Sequence, residues 1–124
     1  MKTESGKKIL IVEDDEDLHL LYRLYLQGQS YQIFQARNGK EGLEQVQAEK
    51  PDLIILDMIM PIMDGEEFLQ VLRFEKKVMD IPVIIASVND KIPPSLIQKA
   101  KVRSVLKKPF AIETLIREIE AGLK

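Results

Sequence analysis

The sequence predicts an α/β fold: a doubly wound, five-stranded parallel sheet in the order 2-1-3-4-5, with five helices on its two faces. Three observations carry this expectation. Short apolar runs alternate with longer amphipathic stretches along the chain, as repeating strand–helix units do. Ile9-Leu10-Ile11-Val12, Leu53-Ile54-Ile55-Leu56 and Val83-Ile84-Ile85-Ala86 are apolar on both faces, as central parallel strands must be. Tyr31-Gln32-Ile33-Phe34-Gln35 and Arg103-Ser104-Val105-Leu106-Lys107 are more polar, as edge strands are. With the second and fifth strands at the edges, the first, third and fourth lie inside, which agrees with that order.

The helices follow between the strands. In the first, Leu18, Leu21, Tyr22 and Tyr25 are expected on the inward face, with Asp15, Glu16 and Asp17 complementing the dipole at its start. Leu43 and Val46 mark the second, Phe68, Leu69 and Leu72 the third, and Leu115, Ile116 and Ile119 the last. Pro93-Pro94 opens a short fourth helix ending near Ala100, because proline is tolerated in a first turn. No repeat or Pro/Gly/Ser-rich linker divides the chain. A flexible segment over residues 1–7 and one domain over residues 8–124 are expected.

Composition narrows the function. No apolar run exceeds four residues, so membrane insertion is not expected, and the N-terminus does not read as a signal peptide. The absence of cysteine removes thiol nucleophiles and thiolate metal sites and fits a reducing cytosol, so a cytoplasmic location is expected. The net charge of −2 conceals an asymmetry: residues 1–70 hold 7 Lys and Arg against 14 Asp and Glu, the remainder 11 against 6. That basic excess is too small for direct nucleic-acid binding. It leaves an acidic half suited to a cation and a basic half suited to an acidic protein, or ordinary surface solvation.

Ligands of such sheets sit beyond the carboxyl ends of the strands, at the switch point between the first and third. There the sequence places Glu13-Asp14-Asp15, Asp57, Ser87 and Lys107-Lys108-Pro109-Phe110. Carboxylates converging on one edge repel unless a cation separates them. Sparse carboxylates completed by water and phosphate suit Mg2+ better than Ca2+. A lysine and a hydroxyl beside the ion would complete a phosphate site, and with no cysteine present a carboxylate is the expected nucleophile.

These residues carry a resemblance. The ILIVED run of residues 9–14, LIILDMIMPIMDG at 53–65, the IIAS strand end at 84–87 and Lys108-Pro109-Phe110 together resemble the bacterial two-component response-regulator receiver domain, from about Lys8 to the C-terminus. The resemblance implies a flavodoxin-like fold and a phosphorylation switch. In it, Asp57 is the phosphoacceptor and Asp14 a direct Mg2+ ligand. Glu13 acts mainly through a bound water, and the main-chain carbonyl of Ile59 supplies a further ligand. Ser87 is the switch hydroxyl, Lys108 pairs with the phosphoryl group before a cis Lys108-Pro109 peptide, and Pro61 and Gly65 shape the loop. The implied phosphodonor is a sensor histidine kinase or phosphotransfer protein. The protein would be a signalling component, not an enzyme, catalysing only its own phosphorylation and dephosphorylation. Output would use the fourth helix, fifth strand and fifth helix, where Lys91, Lys99, Lys101, Arg103 and Lys107 favour an acidic partner. As the sequence ends with the fifth helix, a stand-alone receiver is expected, with a piece of a longer regulator as the alternative.

The sequence departs from the family at several positions. Val105 replaces the usual aromatic three residues before Lys108, Val88 replaces the small residue after the switch hydroxyl, and Lys101-Val102 replaces Gly-Ala before the fifth strand. Ile59 and Asn89, which flank the approach of a hydrolytic water in the family, predict slow loss of the acyl phosphate. His19 is expected at the surface or partly packed, and Met58, Met60 and Met63 in loop packing. A degenerate receiver is disfavoured by Asp57, Ser87 and Lys108. A flavin carrier is disfavoured by the acidic loop after the first strand, and an Asp-x-Asp phosphatase by Ile59 in place of the second acid.

Overall fold

A computed structural model describes residues 6–88 and 91–124. Strands β1 (Lys8–Val12), β2 (Gln32–Ala36), β3 (Leu53–Leu56), β4 (Val83–Ser87) and β5 (Val102–Lys107) form one sheet in the order β2-β1-β3-β4-β5, with every pair parallel. Between them run α1 (Glu16–Leu26), α2 (Gly39–Glu49), α3 (Gly65–Gln70), α4 (Pro94–Lys99) and α5 (Ile112–Gly122). The predicted architecture is therefore the observed one, with strand and helix bounds moved by a residue or two.

Alternation along each central strand divides the core in two. Ile9, Ile11, Leu53, Ile55 and Ile84 pack with Tyr22, Leu26, Leu115 and Ile119, beneath α1 and α5. Leu10, Val12, Ile54, Leu56, Val83 and Ile85 pack with Val46, Phe68, Leu72 and Leu96, beneath α2, α3 and α4. Every residue of β3 and β4 is buried, which explains their uninterrupted apolar sequence.

The first helix corrects its predicted face. His19, Tyr22 and Leu26 are its buried residues, whereas Leu21 and Tyr25 are exposed, as are Leu20 and Leu24. An 11-residue helix with apolar side chains nearly all round gives periodicity little to discriminate, and tertiary packing selects the face. Asp15 caps α1 by accepting from the amides of Asp17 and Leu18, in keeping with the predicted role of this acidic run.

Beyond Gln70 the third helix widens into a π-helical turn, Val71–Glu75. Arg73 within it is only 2% exposed. Its Nε donates to the Ala100 carbonyl at 2.7 Å, and its two terminal nitrogens to the carbonyls of Val78 and Ile81 at 2.8 Å each. One guanidinium thus joins the end of α3, the connection to β4 and the end of α4. Arg73→Leu leaves those carbonyls without that donor and should cost roughly 3 kcal/mol, since each buried unsatisfied polar group costs about 1–3 kcal/mol. Urea unfolding should show a lower midpoint with an unchanged slope, and an unaltered midpoint contradicts the anchoring role.

Candidate functional site

Parallel pairing brings the strand ends to one edge. Val12 lies opposite Leu56, so Glu13 and Asp57, the next residues, project from adjacent strands beyond the ladder. The Asp57 amide donates to the Val12 carbonyl and the Glu13 amide to the Ala36 carbonyl, both at 2.9 Å. On the other side the Lys108 amide donates to the Ser87 carbonyl at 3.0 Å, bringing the predicted lysine beside the end of β4. The Lys108-Pro109 peptide is cis, as the resemblance implied.

Gly65 decides how closely the β3–α3 loop folds back. A Cβ at this position would lie 2.5 Å from the Asp57 carbonyl oxygen and 2.7 Å from Met58 Cα, closer than any side chain tolerates. The Gly65 amide donates to the Met58 carbonyl and Asp64 caps α3 through the Glu67 amide. Met58 and Met60 are buried in this loop and Met63 packs against the core, so the methionines are packing residues as expected. Ile62 lies at the tip with φ +70° and is 77% exposed. That conformation is strained for a β-branched residue, and the periodic pattern gave no sign of it.

Glu13, Asp14 and Asp57 each offer a carboxylate oxygen within 4.8 Å of the others. Glu13, Asp57 and Ser87 are buried, and Asp14 is exposed. Lys108 Nζ lies 2.6 Å from Glu13 Oε1 and 3.6 Å from Asp57 Oδ2. The Ile59 amide approaches Asp57 Oδ1 at 3.4 Å, and the Asp15 amide approaches Glu13 Oε2 at 3.2 Å. Burial pushes the Glu13 carboxyl up to about 7, with the Lys108 hydrogen bond opposing the rise and the Asp57 charge adding to it. Three carboxylates, Glu13, Asp14 and Asp57, thus meet one described ammonium, that of Lys108. An all-oxygen donor set with residual negative charge fits a hard divalent cation such as Mg2+.

The structure thus gathers Glu13, Asp14, Asp57 and Lys108, and sets Ser87 at the neighbouring strand end. Ile59, 56% exposed, stands at the rim. Val88 is exposed and lines a cavity that Lys108 also borders, and Val105 is exposed on β5. Asn89 lies outside the described residues. Sequence reasoning missed two neighbours of the site. His19, expected at or near the surface, is buried, with Nε2 2.5 Å from the Glu13 carbonyl. Tyr22 stacks on Phe110, with ring centroids 6.4 Å apart, and its hydroxyl is held protonated by burial and by the charges of Glu13 and Asp57. The spacing of six residues between Glu13 and His19 was the only sequence signal for the first.

Two cavities flank the sheet. One of about 360 Å³, lined by Leu18, Leu21, Tyr25, Val88, Phe110 and Lys108, opens beside the acidic pocket. A larger one, about 600 Å³, is lined by Val46, Pro51, Leu72 and Ile81 at the opposite edge and contains none of the candidate residues. Among the described residues no helix is long and apolar enough to cross a membrane.

Comparison with known proteins identifies the family and agrees with the fold. The family model for the response regulator receiver domain matches residues 9–120. Sporulation initiation phosphotransferase F of Bacillus subtilis is 39% identical over 115 residues, covering 89% of this chain and 88% of that protein. The alkaline phosphatase synthesis transcriptional regulatory protein PhoP of B. subtilis is 33% identical over 96% of this chain but only 48% of its own length. The chain likewise spans about half of the response regulator MprA of Mycobacterium leprae, at 33% identity. Among solved structures, a CheY-like receiver domain protein from Methanospirillum hungatei superposes with a TM-score of 0.87 at 26% identity, covering 96% of this chain and 94% of that one. The receiver domain of the Francisella response regulator 1452 gives 0.84 at 28%, covering 94% and 96%.

The Glu13 shift has a consequence for stability in metal-free solution. Its carboxyl binds a proton more tightly in the folded chain, at about 7, than at the ordinary 4.5. The stabilisation from that proton is complete below about pH 4.5 and is lost as pH rises through about 7. In excess chelator, urea midpoints should fall across this interval for wild type and fall less for Glu13→Gln. Parallel pH profiles for the two proteins contradict the assignment.

Proposed function

The chain belongs to the response regulator receiver domain family, and from that premise we propose that it is a phosphorylation switch of a two-component relay with Asp57 as its acceptor. The observation that carries this reading is the meeting of Glu13, Asp14 and Asp57 with the Lys108 ammonium at the carboxyl edge of the sheet. Asp14, Asp57 and the Ile59 main-chain carbonyl are the proposed Mg2+ ligands, with Glu13 acting mainly through a bound water. When bound, the ion would supply the positive charge that the pocket lacks and a template for phosphoryl oxygens.

In the proposed step a carboxylate oxygen of Asp57 attacks the donor's phosphorus, forming an O–P bond. The bond from phosphorus to the donor breaks and its electron pair leaves with the donor. Lys108, already 3.6 Å from the acceptor carboxylate, would exchange part of its contact with Glu13 for the incoming phosphoryl oxygens. The Ser87 hydroxyl would donate to another oxygen. Chemistry on other substrates is not part of this reading.

A protein donor, a sensor histidine kinase or a phosphotransfer protein, is supported by the apolar groove beside the pocket and by exposed Leu20, Leu21, Leu24 and Tyr25 on α1. The relative named as a phosphotransferase lends the same support. For output we propose the α4–β5–α5 face toward an acidic protein, because Lys91, Lys99, Lys101, Arg103 and Lys107 are all exposed there. With Val105 in place of an aromatic ring, signalling would rest on loop and backbone shifts.

Incubation with acetyl phosphate and Mg2+, followed by intact-mass measurement, should add one phosphoryl group to the wild type and none to Asp57→Asn. Uptake by that variant, or by wild type in excess chelator, overturns the assignment. The lifetime of the phosphorylated form offers a separate check. Ile59 can neither orient nor deprotonate a water, so Ile59→Asn should lose phosphate several-fold faster after donor removal. Equal or slower loss removes any shielding role for Ile59.

A further inference from the structure

We propose that His19 is a positioning residue for the acidic pocket: its ring N–H, donated to the Glu13 carbonyl, fixes the peptide joining Glu13 to Asp14 and thereby raises the affinity of the pocket for Mg2+. The inference rests on the reading of that pocket as a Mg2+ site.

His19 lies in α1 and is 1% exposed, with Nε2 2.5 Å from the Glu13 carbonyl oxygen. A carbonyl oxygen only accepts, so Nε2 carries the hydrogen and Nδ1 is the bare nitrogen of this tautomer. That Nδ1 is buried and has no hydrogen-bond partner among the described residues. A leucine would occupy a similar volume without burying an unsatisfied nitrogen, so packing alone is a poor account of an imidazole here. What the ring supplies, and an aliphatic chain does not, is the N–H directed at Glu13.

The other polar groups of Glu13 already have partners. Its amide donates to the Ala36 carbonyl, Oε2 accepts from the Asp15 amide and Oε1 from Lys108. The carbonyl is held from α1, and it belongs to the peptide whose other side is Asp14. The orientation of that peptide sets the direction in which the exposed Asp14 carboxylate leaves the backbone. The anchor itself is firm: the His19 amide donates to the Asp15 carbonyl, and Asp15 caps the helix through the amides of Asp17 and Leu18. His19 thus stands one layer behind the proposed ligands, where partners orient ligands without touching the ion.

The test is a Mg2+ titration by calorimetry of wild type, His19→Leu and His19→Gln, with urea unfolding of each in chelator. Loss of an orienting partner should raise the Mg2+ Kd of His19→Leu about ten-fold. His19→Gln restores a side-chain N–H of similar reach and should return the Kd to within about two-fold of wild type, as one donor replaces another. A purely structural histidine would shift the urea midpoint and leave the Mg2+ Kd unchanged. An unchanged Kd in His19→Leu, at any stability, overturns the proposal, as does a glutamine variant as weak as the leucine one. Wild type that fails to bind millimolar Mg2+ overturns the pocket reading itself, and this inference with it.

Discussion

Lys108 Nζ stands 2.6 Å from Glu13 and 3.6 Å from Asp57, and without that cation two buried carboxylates would face each other across the ends of β1 and β3. Much of the surrounding structure supports this contact. Parallel pairing puts the two acids side by side, and the Lys108 amide bonded to the Ser87 carbonyl fixes where the lysine begins. Gly65 lets the β3–α3 loop close against the Asp57 backbone. Burial, with the Asp57 charge beside it, makes Glu13 hold its proton more tightly, and the Lys108 ammonium opposes that rise only in part. A pocket in this condition holds buried carboxylates close together at a cost to stability.

The sheet was legible because its chemistry is local. Runs such as LIIL and VIIA have no polar face, so they can only be covered on both sides, and their count and spacing fix the order of the layers. The edge carboxylates were legible for the same reason, since each follows directly on an apolar run. The inward face of α1 was not. Leu18, Leu20, Leu21, Tyr22, Leu24 and Tyr25 compete for one stripe, and the choice of His19 and Leu26 over Leu21 and Tyr25 depends on strands distant in sequence.

Two further features escaped the sequence because they oppose residue type. Arginine is among the last residues expected in a core, and Arg73 is buried where three carbonyls, two from the connection to β4 and one at the end of α4, converge on it. Isoleucine strongly disfavours positive φ, yet Ile62 adopts it where Pro61, Gly65 and the Met58 contact leave the loop little other path. In both cases the tertiary arrangement overrides local preference.

The Arg73 anchor also has a mechanical meaning. The guanidinium grips the Ala100 carbonyl, just past the last residue of α4, and ties it to the loop entering β4, while the proline start of the helix has no side-chain cap among the described residues. A six-residue helix is a rod of about 9 Å, and a rod pinned at one end swings and does not slide. Any displacement of α4 that keeps this bond would be a rotation about its C-terminal end, largest at the proline end. In such a rotation the basic side chains near the pivot, Lys99 and Lys101, would turn in place while the proline end swept an arc.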